Sequence, residues 1–270
     1  MNVAIPSGAI GVFDSGVGGL SVLRHIRHAL PAECLIYIAD SAHVPYGDKS
    51  ASYIEQRSLA LTRFLIEQGA DAIVIACNTA TAAAAATLRS HFKLPIVAME
   101  PAIKPAVAAT RSGVVGVLAT VGTLESSRFA ALLERYAGEI KIVTQGCPGL
   151  VELVEQGNLT GVEARELISL YTAPLLKKGA DTLILGCTHY PFLAPLITEI
   201  VGPDISLIDT GGAVARHLQQ RIETELPGRV SAQNGHSHFW TSGDATQASH
   251  IMSLLWNEQI EVRQLPEQYL

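Results

Sequence analysis

GADTLILGCTHYP, Gly179–Pro191, repeats an earlier stretch of the chain, GADAIVIACNTAT at Gly69–Thr81. Gly69 matches Gly179, Asp71 matches Asp181 and Cys77 matches Cys187, at a constant offset of 110 residues. Each copy reads as a glycine that closes a helix, a short apolar strand buried on both faces, and a cysteine where the chain turns into the next helix. Open α/β sheets bind their ligands at that carboxyl edge. A cysteine at the same place in both copies therefore predicts two thiols facing one cleft from opposite sides.

The repeat divides 270 residues into two units of ordinary domain size. Hydrophobic residues at 48% against 16% charged ones describe a globular chain with a large core, outside the disordered class. A net charge of −6 provides no general basic field, so nucleic acid is not expected as a partner. Four cysteines without CxxC spacing, in a chain of this size, read as reduced thiols. The N-terminus has no basic segment followed by an apolar one, and no apolar run is long enough to span a bilayer, so a cytoplasmic protein is expected. The sequence does not reveal the oligomeric state; a homodimer is compatible with it.

Outward from the repeat, the pattern of strands and helices is nearly continuous. Strands are expected at Ile10–Phe13, Leu35–Ala39 and Ile96–Met99 around the first copy, and at Val114–Ala119, Ile140–Thr144 and Ser206–Ile208 around the second. Asp14-Ser15-Gly16-Val17-Gly18-Gly19 is a glycine-rich turn into a helix at Leu20–Leu30, and its free N–H groups favour an anion. Thr120–Thr123 holds the corresponding place in the second half. A helix is expected to start at Glu100-Pro101, with proline in its first turn. The tail reads strand, helix, strand at Phe239–Ser242, Ala245–Trp256 and Ile260–Leu265, and is expected to pack back on the first half. The predicted fold class is α/β, with two similar parallel-sheet domains, 1–98 plus 210–270 and 99–209, and an active site in the cleft between them.

A lone cysteine is most often a small buried hydrophobe. Cys77 and Cys187 differ in that each is followed by polar residues, Asn78-Thr79 and Thr188-His189, which a strand continuing into the core would not carry. Cys34 and Cys147 have no such echo and read as structural. Two thiols across a cleft suit the inversion of a carbon that bears an acidic hydrogen, which needs a base on one face and an acid on the other. Cysteine, with an ordinary pKa of about 8.5, serves either role near neutral pH after a small shift.

Asp14 has two readings, as a cap for the following helix or as a carboxylate beside Cys77. Glu155 and His189 divide similarly, between a solvated helix residue or a carbonyl partner and helpers of the second thiol. The glycine turn with Asp40 gives a weak dinucleotide fingerprint, because the third glycine position falls at Ser21. Zinc held by Cys77, Cys187 and His189 is a further alternative, disfavoured because its ligands come from different domains.

Taken together, DSGVGGLSVL (14–23), ADSAHVPYG (39–47), ACNTAT (76–81), ATVGT (119–123), CPGLVELVE (147–155) and GCTHYP (186–191) resemble, in order, the motifs of bacterial glutamate racemases. The resemblance spans nearly the whole chain. It implies a cofactor-independent enzyme without a metal, built of two α/β domains related by pseudo-twofold symmetry, that interconverts L- and D-glutamate for peptidoglycan synthesis. On matching positions it implies Cys77 as the base for D-glutamate, assisted by Asp14, and Cys187 as the base for L-glutamate, assisted by His189 and Glu155. Asp40 is an auxiliary in some readings of the family. Substrate contacts are implied for Asp14, Ser15, Tyr46, Gly47, Asn78, Thr79, Thr120, Thr123, Thr188 and His189.

In this family the position of Glu152 usually holds proline. Two acids therefore lie on that helix here, and Glu155 is chosen by its spacing from Cys147-Pro148. Some relatives carry an N-terminal extension tied to a peptidoglycan-precursor activator and to inhibition of DNA gyrase. This chain begins almost directly at its first strand, so that regulation is not expected. Rival readings are a racemase or isomerase of aspartate or another small dicarboxylate, a non-catalytic two-domain binding protein, and a zinc hydrolase.

Overall fold

A computed structural model describes residues 8–136, 138, 140–229 and 235–270. Residues 1–7 and 230–234, assigned by sequence to the first domain, and 137 and 139, assigned to the second, lie outside the described residues.

Two parallel sheets form the frame. The first contains β1 (Ala9–Asp14), β2 (Leu35–Ala39), β3 (Ala70–Ile75) and β4 (Ile96–Ala98). The second contains β5 (Val114–Ala119), β6 (Lys141–Gly146), β7 (Thr182–Leu185) and β8 (Ser206–Ile208). The tail strands β9 (Ser237–Thr241) and β10 (Val262–Gln264) extend the first sheet beyond β2, giving the order β10-β9-β2-β1-β3-β4. The second sheet has the order β6-β5-β7-β8, which repeats the arrangement of β2-β1-β3-β4.

The duplication extends to the register. Gly11 and Val12 of β1 lie opposite Ile73 and Val74, while Gly116 and Val117 of β5 lie opposite Leu183 and Ile184. The partners are again 110 residues apart. Both glycines meet the same helix contact: a Cβ on Gly11 would crowd Ile73 and Leu65, and one on Gly116 would crowd Leu183 and Leu175. Leu65 belongs to α2 (Ala51–Glu67) and Leu175 to α8 (Val162–Lys177), so in each half glycine lets a helix settle against the central strand.

The remaining helices complete the covering of both sheets. They are α1 (Leu20–Ala29), α3 (Asn78–His91), α4 (Ile103–Ala109), α5 (Val121–Leu124), α6 (Ser127–Arg135), α7 (Leu150–Glu155), α9 (Ala194–Val201), α10 (Gly211–Glu225) and α11 (Ala245–Trp256). Phe13, Ile36 and Ile73 are buried on one face of the first sheet with α2 and α3, and Val115, Val117 and Ile184 on one face of the second with α4 and α6. A third core is continuous between the halves, joining Val17, Leu20 and Leu23 to Val154, Tyr190 and Leu193. Apolar packing, rather than a linker, joins the two sheets.

Helix α4 starts at Ile103, later than the expected Glu100-Pro101. Pro101 instead stands in a tight turn closed by the Ile103 N–H on its carbonyl at 2.8 Å. Pro105 takes the early helical position, where a missing N–H leaves no bond unmade. The Thr120–Thr123 segment forms the short helix α5, with the Thr120 hydroxyl accepting from the Thr123 N–H as its cap.

Candidate active site

Both repeated strands end two residues before their cysteine, Ile75 before Cys77 and Leu185 before Cys187. Cys77 caps α3, its sulfur accepting from the Ala80 N–H at 3.4 Å. After Cys187 the chain enters a 3-10 turn, Tyr190–Leu193, before α9. The two cysteines are brought to one small cavity between the sheets. Cys77 and Cys187 are 5% and 7% exposed, so each thiol is buried yet reaches the cavity wall.

From the first half, Ser15, Tyr46, Gly47, Asn78 and Thr79 line this cavity; from the second, Thr120, Thr123, Thr188 and His189 do so. The hydroxyls of Thr79, Thr120 and Thr123 lie 2.9–3.2 Å apart and link the halves across it. Both polar atoms of the Asn78 amide are buried without a protein partner. An amide so placed is costly unless something else binds it, which marks the wall beside α3 as a ligand-facing surface. Sequence reasoning missed Pro45, Val151 and Gly186, which also line the cavity. Val151 comes from α7 and the other two from loops, and only the packing of these elements brings them together there.

Asp14 and Glu155 stand behind the wall. Asp14 is fully buried, and its Oδ2 accepts the Gly19 N–H at 2.7 Å and faces the Thr188 hydroxyl at 3.3 Å. Asp14 is not among the residues that line the cavity, and lies just behind them. Glu155 Oε1 lies 2.7 Å from Nε2 of His189 and accepts the Val17 N–H, also at 2.7 Å. Nδ1 of His189 stands 3.7 Å from the Cys187 sulfur. Sulfur, imidazole and carboxylate thus form a line in which the carboxylate orients the imidazole that attends the sulfur. Glu152, on the same helix, borders a neighbouring, larger cavity that Glu155 also lines.

The glycine turn holds anions, as its free N–H groups imply, but they are these two side chains. Val17 N–H is taken by Glu155 and Gly19 N–H by Asp14, which leaves the turn occupied against a pyrophosphate. Asp40 is held elsewhere, by the Arg57 guanidinium at 2.7 Å and the Tyr46 hydroxyl at 2.5 Å. Cys34 and Cys147 are buried free thiols. Among the described residues no three His, Cys, Asp or Glu side chains are grouped to hold a metal ion. Among the same residues no helix is long and apolar enough to cross a membrane.

The electrostatics of the two sides differ. Burial, and then the Asp14 carboxylate, push the Cys77 thiol up. Burial lifts Asp14 itself to about 6, against the pull of nearby His189. For His189 burial opposes the charge, but its hydrogen bonds to Cys187 and Glu155 outweigh that and hold the imidazole well above its ordinary value. One sulfur thus has a buried carboxylate for a neighbour and the other an imidazole.

Fold and cavity define the class: a protein of two repeated parallel α/β sheets, with one thiol from each repeat at a shared, buried polar cavity. A sequence profile of the Asp/Glu/Hydantoin racemase family matches residues 10–218. The chain belongs to this family. It is 59% identical over 255 residues to the glutamate racemase of Ectopseudomonas mendocina, covering 94% of this chain and 96% of that protein. The crystal structure of Escherichia coli glutamate racemase in complex with L-glutamate and the activator UDP-MurNAc-Ala is 35% identical. It superposes with a TM-score of 0.85 over 96% of this chain and 98% of that one. The Francisella tularensis glutamate racemase in complex with D-glutamate is 28% identical, with a TM-score of 0.82 over 97% and 98% of the two chains.

Proposed function

We propose that this chain racemises glutamate without a cofactor by a two-base mechanism, with Cys77 and Cys187 on opposite faces of the α-carbon. The observation that carries this reading is that one cysteine from each repeat lines the same cavity. The similarity to glutamate racemases, whose relatives bind L-glutamate and D-glutamate, supports the substrate. The reading places the enzyme in the cytoplasm, supplying D-glutamate for peptidoglycan. It divides the chain into domains 1–98 plus 210–270 and 99–209, in keeping with the composition of the two sheets.

From L-glutamate the Cys187 sulfur removes the α-proton, aided by the His189–Glu155 pair, and the Cys77 thiol delivers a proton to the opposite face. From D-glutamate the roles reverse, with Asp14 assisting Cys77. Negative charge develops on the α-carboxylate as the proton leaves. Asn78, Thr79 and the N-terminus of α3 offer donors and a favourable helix dipole at that point, and hydroxyls of Thr120, Thr123 and Thr188 complete the polar wall. Burial of both sulfurs excludes water from the carbanion-like intermediate.

The test is to incubate the protein with L-glutamate in heavy water. D-glutamate carrying α-deuterium is expected, with the reverse conversion from D-glutamate. Binding of glutamate with neither inversion nor exchange would make the cavity a non-catalytic receptor.

A further inference from the structure

The turn that leads from β1 into α1 is packed against the second half at the residues that attend Cys187. Val17 N–H donates to Oε1 of Glu155 at 2.7 Å, the oxygen that also faces His189 at 2.7 Å. Ser21 Oγ lies within hydrogen-bonding distance of two carbonyls, that of Gly18 at 2.9 Å and that of Thr188 at 2.8 Å, and so ties its own turn to the loop that carries Cys187 and His189. A Cβ on Gly16 would collide with the Glu155 carboxylate, and one on Gly18 with the His189 ring. Both glycines stand where a side chain would displace the pair. The Cys77 sulfur is held differently: its neighbours, the Ser15 hydroxyl at 3.8 Å and the Ala80 N–H at 3.4 Å, both come from the first half.

We infer that Gly16–Ser21 is a socket in which the first half positions the His189–Glu155 pair of the second, so that the acid/base function of Cys187 is complete only when the halves are seated together. The inference rests on the roles given above to Cys187, His189 and Glu155, and adds Gly16, Gly18 and Ser21 as positioning residues. Misplacing a catalytic group by about 1 Å costs about 100-fold in rate, and a methyl group at Gly18 imposes a displacement of that order on His189.

Racemisation itself does not reveal which sulfur is impaired. Enantiomers have equal free energy, so any variant must keep kcat/KM equal in the two directions. A one-sided reaction is needed. With 3-chloroglutamate one thiolate takes the α-proton, the carbon–chlorine bond breaks, and chloride leaves. The resulting enamine tautomerises and hydrolyses to 2-oxoglutarate and ammonium. The L form presents its α-hydrogen to Cys187 and the D form to Cys77.

Gly18→Ala is expected to slow 2-oxoglutarate release from the L form about 100-fold and from the D form less than about threefold. Ser21→Ala, a milder change that keeps the turn's backbone, is expected to slow the L form about fivefold with the D form unchanged. Equal losses with both forms, or no loss with either, would overturn the socket. If Gly18→Ala does not fold, the asymmetry of Ser21→Ala decides alone. His189→Ala and Glu155→Ala in the same assay separate the two levels of the argument. Full L-form elimination in those variants would overturn the role of the pair itself, whatever Gly18→Ala does.

Discussion

The backbone N–H of Val17 and the carboxylate of Glu155 meet at 2.7 Å across 138 residues of chain. Glu155 thereby bridges the glycine turn of one half and the His189 imidazole of the other. Glu152 makes no comparable contact to the pair. Glu155→Gln keeps the volume but removes the charge beside the imidazole, and racemisation is expected to fall about 100-fold. Glu152→Gln is expected to retain more than about half of the wild-type rate. Chiral chromatography of the glutamate product checks both, and equal losses would return the auxiliary role to an open question between the two acids.

Asp14 is expected to give racemisation an acid limb. Its pKa is raised from 3.8 to about 6, mainly by burial, so ionisation in the folded protein is delayed to a range where activity is measurable. The kcat/KM of racemisation is expected to rise as pH passes through about 6, and that limb is expected to disappear in Asp14→Asn. Stability runs the other way. A carboxyl that holds its proton more tightly when folded favours the native state below about pH 4, and loses that contribution as pH rises towards 6. The change amounts to roughly 3 kcal/mol for a shift of this size. Urea unfolding across this window is expected to show the decline in the wild type and a flatter profile in Asp14→Asn.

On the proposed mechanism, removing either sulfur breaks the chain of proton transfer. Cys77→Ala and Cys187→Ala are each expected to lose at least about 10³-fold in racemisation of both enantiomers, because one face of the α-carbon is left without an acid or a base. Both variants are expected to bind glutamate, since Asn78, the threonine hydroxyls and the α3 N-terminus remain. Calorimetric titration tests that retention. Near wild-type turnover by either variant would rule out a two-thiol mechanism.

What the sequence disclosed and what it withheld divide along the range of the interactions concerned. The 110-residue repeat was visible because strand pattern, glycine and cysteine placement are local, and the register of Gly11 on Ile73 and Gly116 on Leu183 follows from the same local choices. The shared cavity was inferred from two sites with one geometry. The partner of the glycine turn was not legible. Free N–H groups announce an anion, but whether it is a ligand or a carboxylate from 138 residues away depends on how the sheets pack. The bonds of Asp14 were likewise not legible: its carboxylate takes the Gly19 N–H, a contact set by how the turn folds rather than by residue type.

Behind the cavity wall, Arg57 donates to Asp40 at 2.7 and 3.1 Å and to the carbonyl of Tyr269 at 2.9 Å, while Tyr46 donates to the same Asp40 at 2.5 Å. The ion pair therefore ties the C-terminal residues to a side chain that lines the cavity. Arg57→Met leaves Asp40 buried without its cation, a loss of about 3–5 kcal/mol that lowers the thermal midpoint by roughly 10 °C. Replacing both charges, Arg57→Met with Asp40→Leu, removes the stranded carboxylate, and most of the stability is expected to return. The Tyr46 hydroxyl loses its acceptor only in the double variant. KM for glutamate is therefore expected to rise several-fold there while Tm recovers, with kcat less affected. A wild-type KM in the double variant would mean that Asp40 serves stability alone, and that the position of Tyr46 does not depend on it.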